Sequence, residues 1–297
     1  MLLIVGEAIV VYQRDLGPGG SVPDPPYAGP WPSGAPAITA YVAARLGVPT
    51  SFVGGVGRDP HGQVMRDGLG AGGVDLGHLV EVAEAPTATA HITYRGEGHR
   101  EFEFAVAGTA ATRVTEADLG DLPERATWLH LSGSALLFGP PLARTALAAL
   151  DRARRAGARV SVDPNVRAES MSPQAARALL GVLPLAHVLL PSEGELEALG
   201  ADVDALLAAG ATICTTHGPG GTLVRDGTGT ATVPAVEVEA VDTDGAGDSF
   251  AAGFIAASLA GADPRAAARA GAAVAAQAIQ VPGPMSVRPS LTLPAPR

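Results

Sequence analysis

A run of acidic and small residues at positions 242–248, Asp-Thr-Asp-Gly-Ala-Gly-Asp, has the residue types best suited to chemistry. It follows an apolar stretch and leads into an alanine-rich segment of helical character. Glycines at such a junction expose amide N–H groups at a helix N-terminus, where the helix dipole attracts an anion. Asp248 could then take a proton from an attacking hydroxyl while the amides hold the developing negative charge. An acidic residue there also complements the helix dipole without chemistry, so the interpretation needs support from other motifs.

The charge balance excludes several classes of function. The 297 residues include 30 acidic and 20 basic side chains, for a formal net charge of −10, and every basic residue is an arginine. A chain without lysine contains no P-loop lysine, no Schiff-base lysine and no strand lysine of the protein-kinase type. The acidic balance argues against general binding of nucleic acid or of an anionic membrane surface. We therefore expect neither nucleic acid nor a membrane among the partners of this protein.

The single cysteine and the N-terminal residues indicate the cellular setting. Cys214 can form neither an intrachain disulfide nor a cysteine-based metal cluster, and its apolar surroundings predict a buried structural thiol. Positions 1–7 lack the basic region and cleavage site of a signal peptide, and no apolar run is long enough to span a bilayer. We expect a cytoplasmic protein in which residues 1–297 form one domain.

Apolar runs and helical segments alternate along most of the chain. The apolar runs predict strands at Leu2–Val10, Thr50–Val53, Thr127–Leu131, Arg159–Val162, His187–Leu190 and Ala211–Thr215. Segments of helical period predict helices at Pro36–Leu46, Pro140–Ala156, Pro173–Leu183, Glu193–Leu199, Ala246–Leu259 and Pro264–Ile279. Strands and helices in alternation form βαβ units, which predicts an α/β fold with a mostly parallel central sheet and helices on both faces.

Two segments depart from this alternation. Gly17–Pro32 is crowded with proline and glycine, which rules out a regular helix or a central strand. Thr87–Phe104 alternates apolar and polar residues around a turn at 95–98, which predicts a hairpin with one exposed face. Together they indicate a small β lid, at about 11–33 and 86–108, that covers the main sheet. The alternative is a surface hairpin without a functional role. The exposed face of the lid would allow a homodimer through the lid.

The turn at 242–248 resembles the C-terminal signature of the ribokinase (PfkB-type) sugar kinase family, usually Asp-Thr-x-Gly-Ala-Gly-Asp. Further motifs resemble the same family in the same order: Gly6-Glu7, Ser33–Ala37, Phe52–Gly62, His130–Gly133, Asp163–Arg167, Leu190–Glu195 and Thr216–Gly221. Since this series extends through most of the chain, the chain is identified as a member of the family. Membership implies a ribokinase-like fold with a Rossmann-like central sheet and a β lid, and phosphorylation of a small alcohol by ATP.

The resemblance assigns the reaction to the turn itself. Asp248 would be the general base and would contact the substrate hydroxyl. Gly245, Ala246 and Gly247 would form the anion hole that holds the transferring group.

The resemblance also implies a nucleotide side with ATP and Mg²⁺. Glu195 matches the acidic end of an Asn-x-x-Glu element that helps to organise magnesium and phosphates, and Ser192 occupies the position of its asparagine. Thr216, Gly218 and Gly221 would line the nucleotide, because a glycine-rich strand end lets the backbone approach it closely.

On the acceptor side, the resemblance implies that Gly34 approaches the sugar. Arg167 would lie near the transferring phosphate or an anionic substrate group, since its guanidinium pairs with phosphate oxygens; a surface ion pair is the alternative. Many family members use a potassium ion near the loop formed here by Asp242 and Thr243, which this sequence permits.

Four positions depart from the family pattern. Val11 replaces an aspartate that commonly grips sugar hydroxyls, and Ile38 replaces an asparagine. Ser192 replaces the asparagine of the magnesium element, and Asp244 replaces a threonine, which adds negative charge where phosphate must approach. The first two changes remove polar contacts, so the acceptor is not expected to bind as ribose does.

Three functional interpretations follow. The first is an ATP-dependent kinase acting on the primary hydroxyl of a small sugar, a fructokinase-like enzyme or one for a related hexose, ketose or keto-sugar acid. The acid sugar ranks below a neutral hexose or ketose, because the lid has Phe102, Phe104 and Ala105 where kinases of that acid typically have tyrosine and arginine. The alternatives are a nucleoside kinase of the same superfamily, favoured by Val11 and Ile38, and a non-catalytic sugar- or nucleotide-sensing homologue.

Overall fold

A computed structural model describes residues 1–17, 21–95, 100–166 and 171–291. Within these ranges the strands are β1 (Leu2–Val5), β2 (Ile9–Asp15), β3 (Ala28–Ser33), β4 (Thr50–Gly57), β5 (Leu79–Val82), β6 (Ala88–Tyr94), β7 (Arg100–Ala105), β8 (Trp128–Ser132), β9 (Arg159–Asp163), β10 (Val188–Leu189), β11 (Thr212–Thr216), β12 (Thr222–Asp226) and β13 (Gly229–Val233). The helices are α1 (Ala35–Arg45), α2 (Pro60–Gly72), α3 (Leu122–Arg125), α4 (Pro140–Arg155), α5 (Pro173–Val182), α6 (Glu195–Ala198), α7 (Val203–Ala208), α8 (Ala246–Leu259) and α9 (Pro264–Ala278). In this part of the chain, every helix is too short or too polar to cross a bilayer.

The central sheet contains nine strands in the order β13-β12-β11-β10-β9-β8-β1-β4-β5. All neighbours from β11 to β5 are parallel, whereas β12 runs antiparallel to β11 and β13. Parallel strands bring their carboxyl ends to one edge, where open α/β sheets bind ligands. The predicted mostly parallel α/β sheet is confirmed, and β12 and β13 add an antiparallel margin that the sequence pattern did not indicate.

Helices cover both faces of the sheet because its strands are apolar on both sides. In β1, Leu2 and Ile4 pack in one core cluster with α1, α2, α8 and α9, and Leu3 and Val5 pack in the other with α3 to α7. Every residue of β1 and β4 is buried. Burial on both faces is the usual property of parallel strands, and it explains why these segments read as continuous apolar runs.

The predicted lid is a second sheet of four strands in the order β3-β2-β6-β7. Strands β2 and β6 are parallel, and the pairs β3–β2 and β6–β7 are antiparallel. The β6–β7 pairing confirms the predicted hairpin. Residues 96–98 of its predicted turn at 95–98 lie outside the described residues. The proline-rich stretch contributes only the edge strand β3. This is expected because proline has no backbone N–H to donate, so a strand that contains it is confined to the edge of a sheet.

Two predicted boundaries were wrong. The run Leu2–Val10 was predicted as one strand, but β1 ends at Val5 and β2 begins at Ile9, so the chain crosses from the central sheet to the lid at residues 6–8. Continuous hydrophobicity hides the crossing, because both strands are buried. The predicted helix Glu193–Leu199 is only the single turn α6, which begins after Gly194 in a left-handed conformation.

Asp59 joins the start of α2 to the base of the lid. Its Oδ1 accepts hydrogen bonds from Gly62 N at 2.7 Å and Thr87 Oγ1 at 2.8 Å, and its Oδ2 accepts one from Thr87 N at 2.8 Å. Burial alone would raise the pKa of Asp59, but the hydrogen bonds from Thr87 and Gly62 outweigh it and lower the pKa. Because the folded state favours the ionised carboxylate, Asp59 stabilises the fold above the pKa of an unfolded aspartate.

Replacing Asp59 with alanine should lower the free energy of unfolding by about 1–3 kcal/mol near neutral pH, because the helix cap and the link to Thr87 are both lost. The difference from the wild type should shrink as the pH falls through the lowered pKa of Asp59. Urea denaturation at about pH 7 and about pH 3 measures both effects. Asp67→Ala, which removes an exposed carboxylate from the same helix, is the control. An Asp59→Ala protein as stable as this control would contradict the assignment.

Candidate active site

The turn before α8 is packed at its first glycine and exposed at its second. Gly245 caps the helix with φ of +77°, a left-handed conformation that glycine adopts without steric cost. A Cβ at Gly245 would lie 3.2 Å from Ile38 Cγ2 and Pro284 Cβ, whereas a Cβ at Gly247 would meet nothing within 4 Å. Asp248 lies half-buried in the first turn. The turn is therefore packed against Ile38 and Pro284 at Gly245 and exposed at Gly247.

Asp242 holds the start of the same turn and is itself only 9% exposed. Its Oδ1 accepts hydrogen bonds from Tyr94 Oη at 2.9 Å and from Asp244 N at 3.0 Å. Its Oδ2 accepts one from Gly283 N at 2.9 Å. Next to it, the carbonyl of Thr243 accepts from Ala246 N at 3.4 Å, which closes the turn into the helix. One carboxylate thus connects the lid, the turn and the C-terminal loop.

Helix α1 lies directly against α8 and links the turn to the acceptor side. Thr39 Oγ1 donates to the carbonyl of Asp248 at 3.4 Å and to that of Ala35 at 3.1 Å. The helix starts after Gly34, whose φ of +104° is open to glycine alone, and a Cβ there would lie 2.7 Å from the carbonyl oxygen of Glu7. Gly34 therefore lets the start of α1 approach the crossing between β1 and the lid.

A chain of hydrogen bonds joins three of the sequence motifs at the carboxyl ends of β1, β8 and β9. Ser134 Oγ donates to Glu7 Oε1 at 2.7 Å, and the hydroxyls of Ser132 and Ser134 lie 2.8 Å apart. Asn165 Nδ2 donates to Ser132 Oγ at 3.3 Å, and Asn165 N donates to Asp163 Oδ1 at 2.9 Å. Sequence reasoning missed these roles, because the side chains come from separate strands and meet only in the fold.

Glu195 continues this chain toward the predicted nucleotide side. Its Oε1 accepts from Val166 N at 2.7 Å and its Oε2 from Ser192 N at 2.8 Å. Ser192 forms an isolated parallel bridge with Thr216, and their hydroxyls lie 3.5 Å apart. The structure thus brings Ser192, Glu195 and Thr216 together at the ends of β10 and β11. Arg167, predicted near the phosphate, lies outside the described residues.

The connection from β11 to β12 is a glycine-rich turn. Gly218 is exposed with φ of +53°, and it begins a short 3₁₀ turn that ends at Gly220. Gly221 has φ of +89°, and a Cβ there would lie 2.3 Å from the carbonyl oxygen of Val233. Gly218 therefore offers open backbone beside Thr216, whereas Gly221 is required by the close approach of β13.

The metal-ligating side chains that are present determine how a metal ion could be bound. In the described ranges, no group of three or more histidine, cysteine, aspartate or glutamate side chains could hold a metal ion. Mg²⁺ usually keeps several waters and binds one or two carboxylates together with phosphate oxygens. The residues present therefore fit a magnesium ion that arrives with a nucleotide, with Glu195 as the nearby carboxylate, and do not fit a cage built by the protein.

Cys214 plays no part in this site. It is buried in β11, and burial raises the pKa of its thiol to about 12. The thiolate required of a nucleophile is therefore strongly disfavoured. The predicted structural thiol is confirmed.

Comparison with known proteins identifies the class of protein. Residues 1–291 match the pfkB family carbohydrate kinase family. The chain is 36% identical over 239 residues to a fructokinase of Salmonella typhimurium, covering 76% of each protein. It is similar to a solved putative ribokinase II of E. coli in complex with ATP and Mg²⁺, with 30% identity, a TM-score of 0.88 and coverage of 97% of this chain and 95% of that one. It is also similar to aminoimidazole riboside kinase of Salmonella enterica, complexed with aminoimidazole riboside and an ATP analogue, with 26% identity, a TM-score of 0.83 and coverage of 97% and 96%.

The chain therefore belongs to the pfkB family of carbohydrate kinases. It is an ATP-dependent sugar kinase of fructokinase-like type. The similarity to solved relatives confirms the predicted ribokinase-like fold. The similarity to a fructokinase favours an enzyme over the non-catalytic alternative.

Replacing Gly34 with alanine should destabilise the protein more than the same change at Gly47. Both residues have positive φ, at +104° and +85°, so both substitutions place an alanine in a backbone conformation that L-residues rarely adopt. Only Gly34→Ala also places a Cβ against the Glu7 carbonyl, because Gly47 has nothing within 4 Å. Thermal and urea denaturation of the two variants compare them directly. Equal losses would show that the approach of α1 to Glu7 is unimportant.

Proposed function

We propose that this chain transfers the γ-phosphate of ATP to the primary hydroxyl of a small sugar, with a ketose such as fructose as the first candidate acceptor and Asp248 as the general base. The placement of Asp248 in the first turn of α8, beside the exposed Gly247, carries this proposal. The similarity to a fructokinase supports the choice of acceptor. The apolar lid residues Phe102 and Phe104 favour a neutral sugar over a keto-sugar acid, as the sequence predicts.

The start of helix α8 supplies both the general base and the amides that bind the transferring phosphoryl group. The Asp248 carboxylate takes the proton of the sugar hydroxyl. At the same time the sugar oxygen bonds to the γ-phosphorus, and the bond from that phosphorus to the leaving ADP oxygen breaks. The amides of Gly245 and Gly247 hold the charge of the transferring group, whereas the Ala246 amide donates to the carbonyl of Thr243. Thr39 steadies the backbone of Asp248 through its carbonyl. Positioning of this kind supplies most of the catalysis in phosphoryl transfer.

The nucleotide belongs, in this proposal, beside Thr216, Gly218 and Gly221, with its phosphates directed toward the α8 turn. Glu195 has both carboxylate oxygens on backbone N–H groups, which fixes its position beside Ser192. Bound Mg²⁺ would neutralise phosphate charge, which matters in a chain with net charge −10. Ser192, in the place of the family asparagine, keeps a hydroxyl oxygen on this side. Arg167 near the transferring phosphate stays a prediction.

Three further expectations stay predictions: the potassium ion, the lid-mediated homodimer and the cytoplasmic location. The potassium prediction is constrained by Asp242, which accepts hydrogen bonds from Tyr94, Asp244 and Gly283. A carboxylate has about four acceptor positions, so about one remains for a cation beside Thr243.

Replacing Asp248 with asparagine should lower kcat by about 10²–10⁴-fold, because the amide cannot accept the hydroxyl proton. ATP binding should stay close to that of the wild type, since the amides of the turn are kept. The measurement is ADP and sugar-phosphate formation with fructose, together with calorimetric ATP binding. Asp204→Asn, in the first turn of α7, is the matched control for loss of a helix-dipole carboxylate. A retained rate in Asp248→Asn would remove Asp248 from the mechanism.

A riboside with an aromatic base is the second candidate acceptor, because the inner face of the lid is apolar. Strand register places Trp31, Val11, Ala90 and Phe104 side by side across the four strands. The rings of Phe102 and Phe104 stack with their centroids 5.8 Å apart. A hydroxyl buried against such a face would lose its hydrogen bonds, whereas a flat aromatic group would gain contact.

A cavity lies next to this apolar face. The rings of Phe138 and Phe104 lie 5.9 Å apart, and Phe138 lines a cavity of about 700 Å³ beside the lid, between Val106 and the start of α4. Val11, in the place of the sugar-binding aspartate, is 1% exposed within the same apolar cluster. The similarity to aminoimidazole riboside kinase adds support.

Comparing kcat/KM for fructose and for inosine distinguishes the two acceptors. If the apolar face binds a base, inosine should be preferred by about tenfold, the effect expected from burying one or two additional apolar groups. Val11→Thr keeps the side-chain shape and adds a hydroxyl, so it should shift the preference toward fructose. Val10→Thr, on the opposite face of β2, should change stability without changing the preference. Preference for fructose in the wild type, unmoved by Val11→Thr, would eliminate the riboside.

A further inference from the structure

Two polar side chains of the inner lid face reach the loop that leads into α8. In the β2–β6 pair, Gln13 lies opposite Ile92 and Asp15 lies opposite Tyr94, so Gln13 and Tyr94 point to the same side as Val11. Tyr94 Oη donates to Asp242 Oδ1 at 2.9 Å, and Gln13 Nε2 approaches Asp244 Oδ2 at 3.4 Å. Two neighbouring lid strands thus contact two acidic residues of one turn.

The edge strand of the lid touches the same region from the other side. A Cβ on Gly283 would lie 2.7 Å from Trp31 Cε3, so the indole of β3 lies directly on the backbone of Gly283. The amide of Gly283 donates to Asp242 Oδ2. Asp242 therefore receives one hydrogen bond from the lid and another from the loop on which the lid rests.

We propose that Tyr94 is a positioning residue, whose hydroxyl couples closure of the lid to the geometry of the anion hole. The inference rests on the proposed function of the α8 turn. With the lid seated, the hydrogen bond from Tyr94 fixes Asp242, and Asp242 fixes the backbone of Asp244 and hence the path into Gly245. When the lid lifts, that carboxylate loses a donor and the turn loses one of its constraints.

Coupling of this kind determines which nucleophile reaches the γ-phosphate. Closure excludes water, and a fixed turn orients the sugar hydroxyl toward the phosphate. If the turn is held loosely, water can attack the γ-phosphorus in place of the sugar oxygen, and ADP leaves with inorganic phosphate as the other product. The ratio of ADP to sugar phosphate therefore reports the coupling separately from the rate.

The test compares Tyr94→Phe with Tyr27→Phe. Each variant removes one phenol hydroxyl from the same region, but Tyr27 Oη pairs with Thr93 Oγ1 at 3.3 Å, and its ring packs against His91 on the outer face. We expect Tyr94→Phe to lower kcat for the sugar by about tenfold, the usual effect of losing one hydrogen bond to a charged group, with KM for ATP nearly unchanged. The ratio of ADP to sugar phosphate should rise above one in Tyr94→Phe and remain one in the wild type and Tyr27→Phe.

A second measurement needs no turnover. Hydrogen exchange of the amides at 242–249 should be about tenfold faster in Tyr94→Phe than in the wild type and Tyr27→Phe, because opening of the turn loses one opposing hydrogen bond. Equal exchange and an unchanged product ratio would overturn the proposal, even if kcat fell through lower stability. A wild-type protein that phosphorylates none of the tested acceptors would defeat the proposed function, while the exchange rates would still decide whether Tyr94 holds the turn.

Discussion

Three carboxylates lie within the seven residues of the proposed phosphate-binding turn, and the organisation of that turn depends on how their charge is contained. Asp242 is buried among hydrogen-bond donors from the lid, the turn and the C-terminal loop. Asp244, which replaces the usual threonine, has Gln13 of the lid beside it. Asp248, the proposed base, lies in the first turn of α8. These neighbouring donors reduce the electrostatic repulsion that the carboxylates of Asp242 and Asp244 would exert on an anion bound at the turn.

Without lysine, the proposed phosphate site has backbone amides, a metal ion and arginine as its available partners. Backbone amides can bind phosphate only if the backbone has a conformation that points their N–H groups at it. Glycines that permit this conformation therefore matter here as a phosphate-binding side chain would elsewhere. Gly245 creates the turn against Ile38 and Pro284, and Gly34 lets α1 reach the Glu7 carbonyl. Helix α1 then steadies Asp248 through Thr39. The motifs distant in sequence are therefore parts of one positioning system.

The sequence predicted the α/β class, the lid and the α8 turn because each depends on local pattern: continuous apolar strands, alternation in a hairpin, and glycines before an alanine-rich segment. It did not predict the break at residues 6–8, since burial on both sides of the break leaves no change in hydrophobicity. It also missed the roles of Tyr94, Gln13 and Ser134. Their partners lie more than 100 positions away in sequence, and only the topology brings them together.

The chemistry of the Tyr94–Asp242 contact suits the proposed lid, which would open in every catalytic cycle. A hydrogen bond from a neutral phenol to a carboxylate contributes about 1.5–3 kcal/mol, which is enough to favour closure and small enough to be broken rapidly. Breaking a buried ion pair costs about 3–5 kcal/mol, because a charge is left without its partner. An arginine at position 94 would therefore tend to hold the lid shut over the product. A phenol favours the closed state while still allowing product to leave.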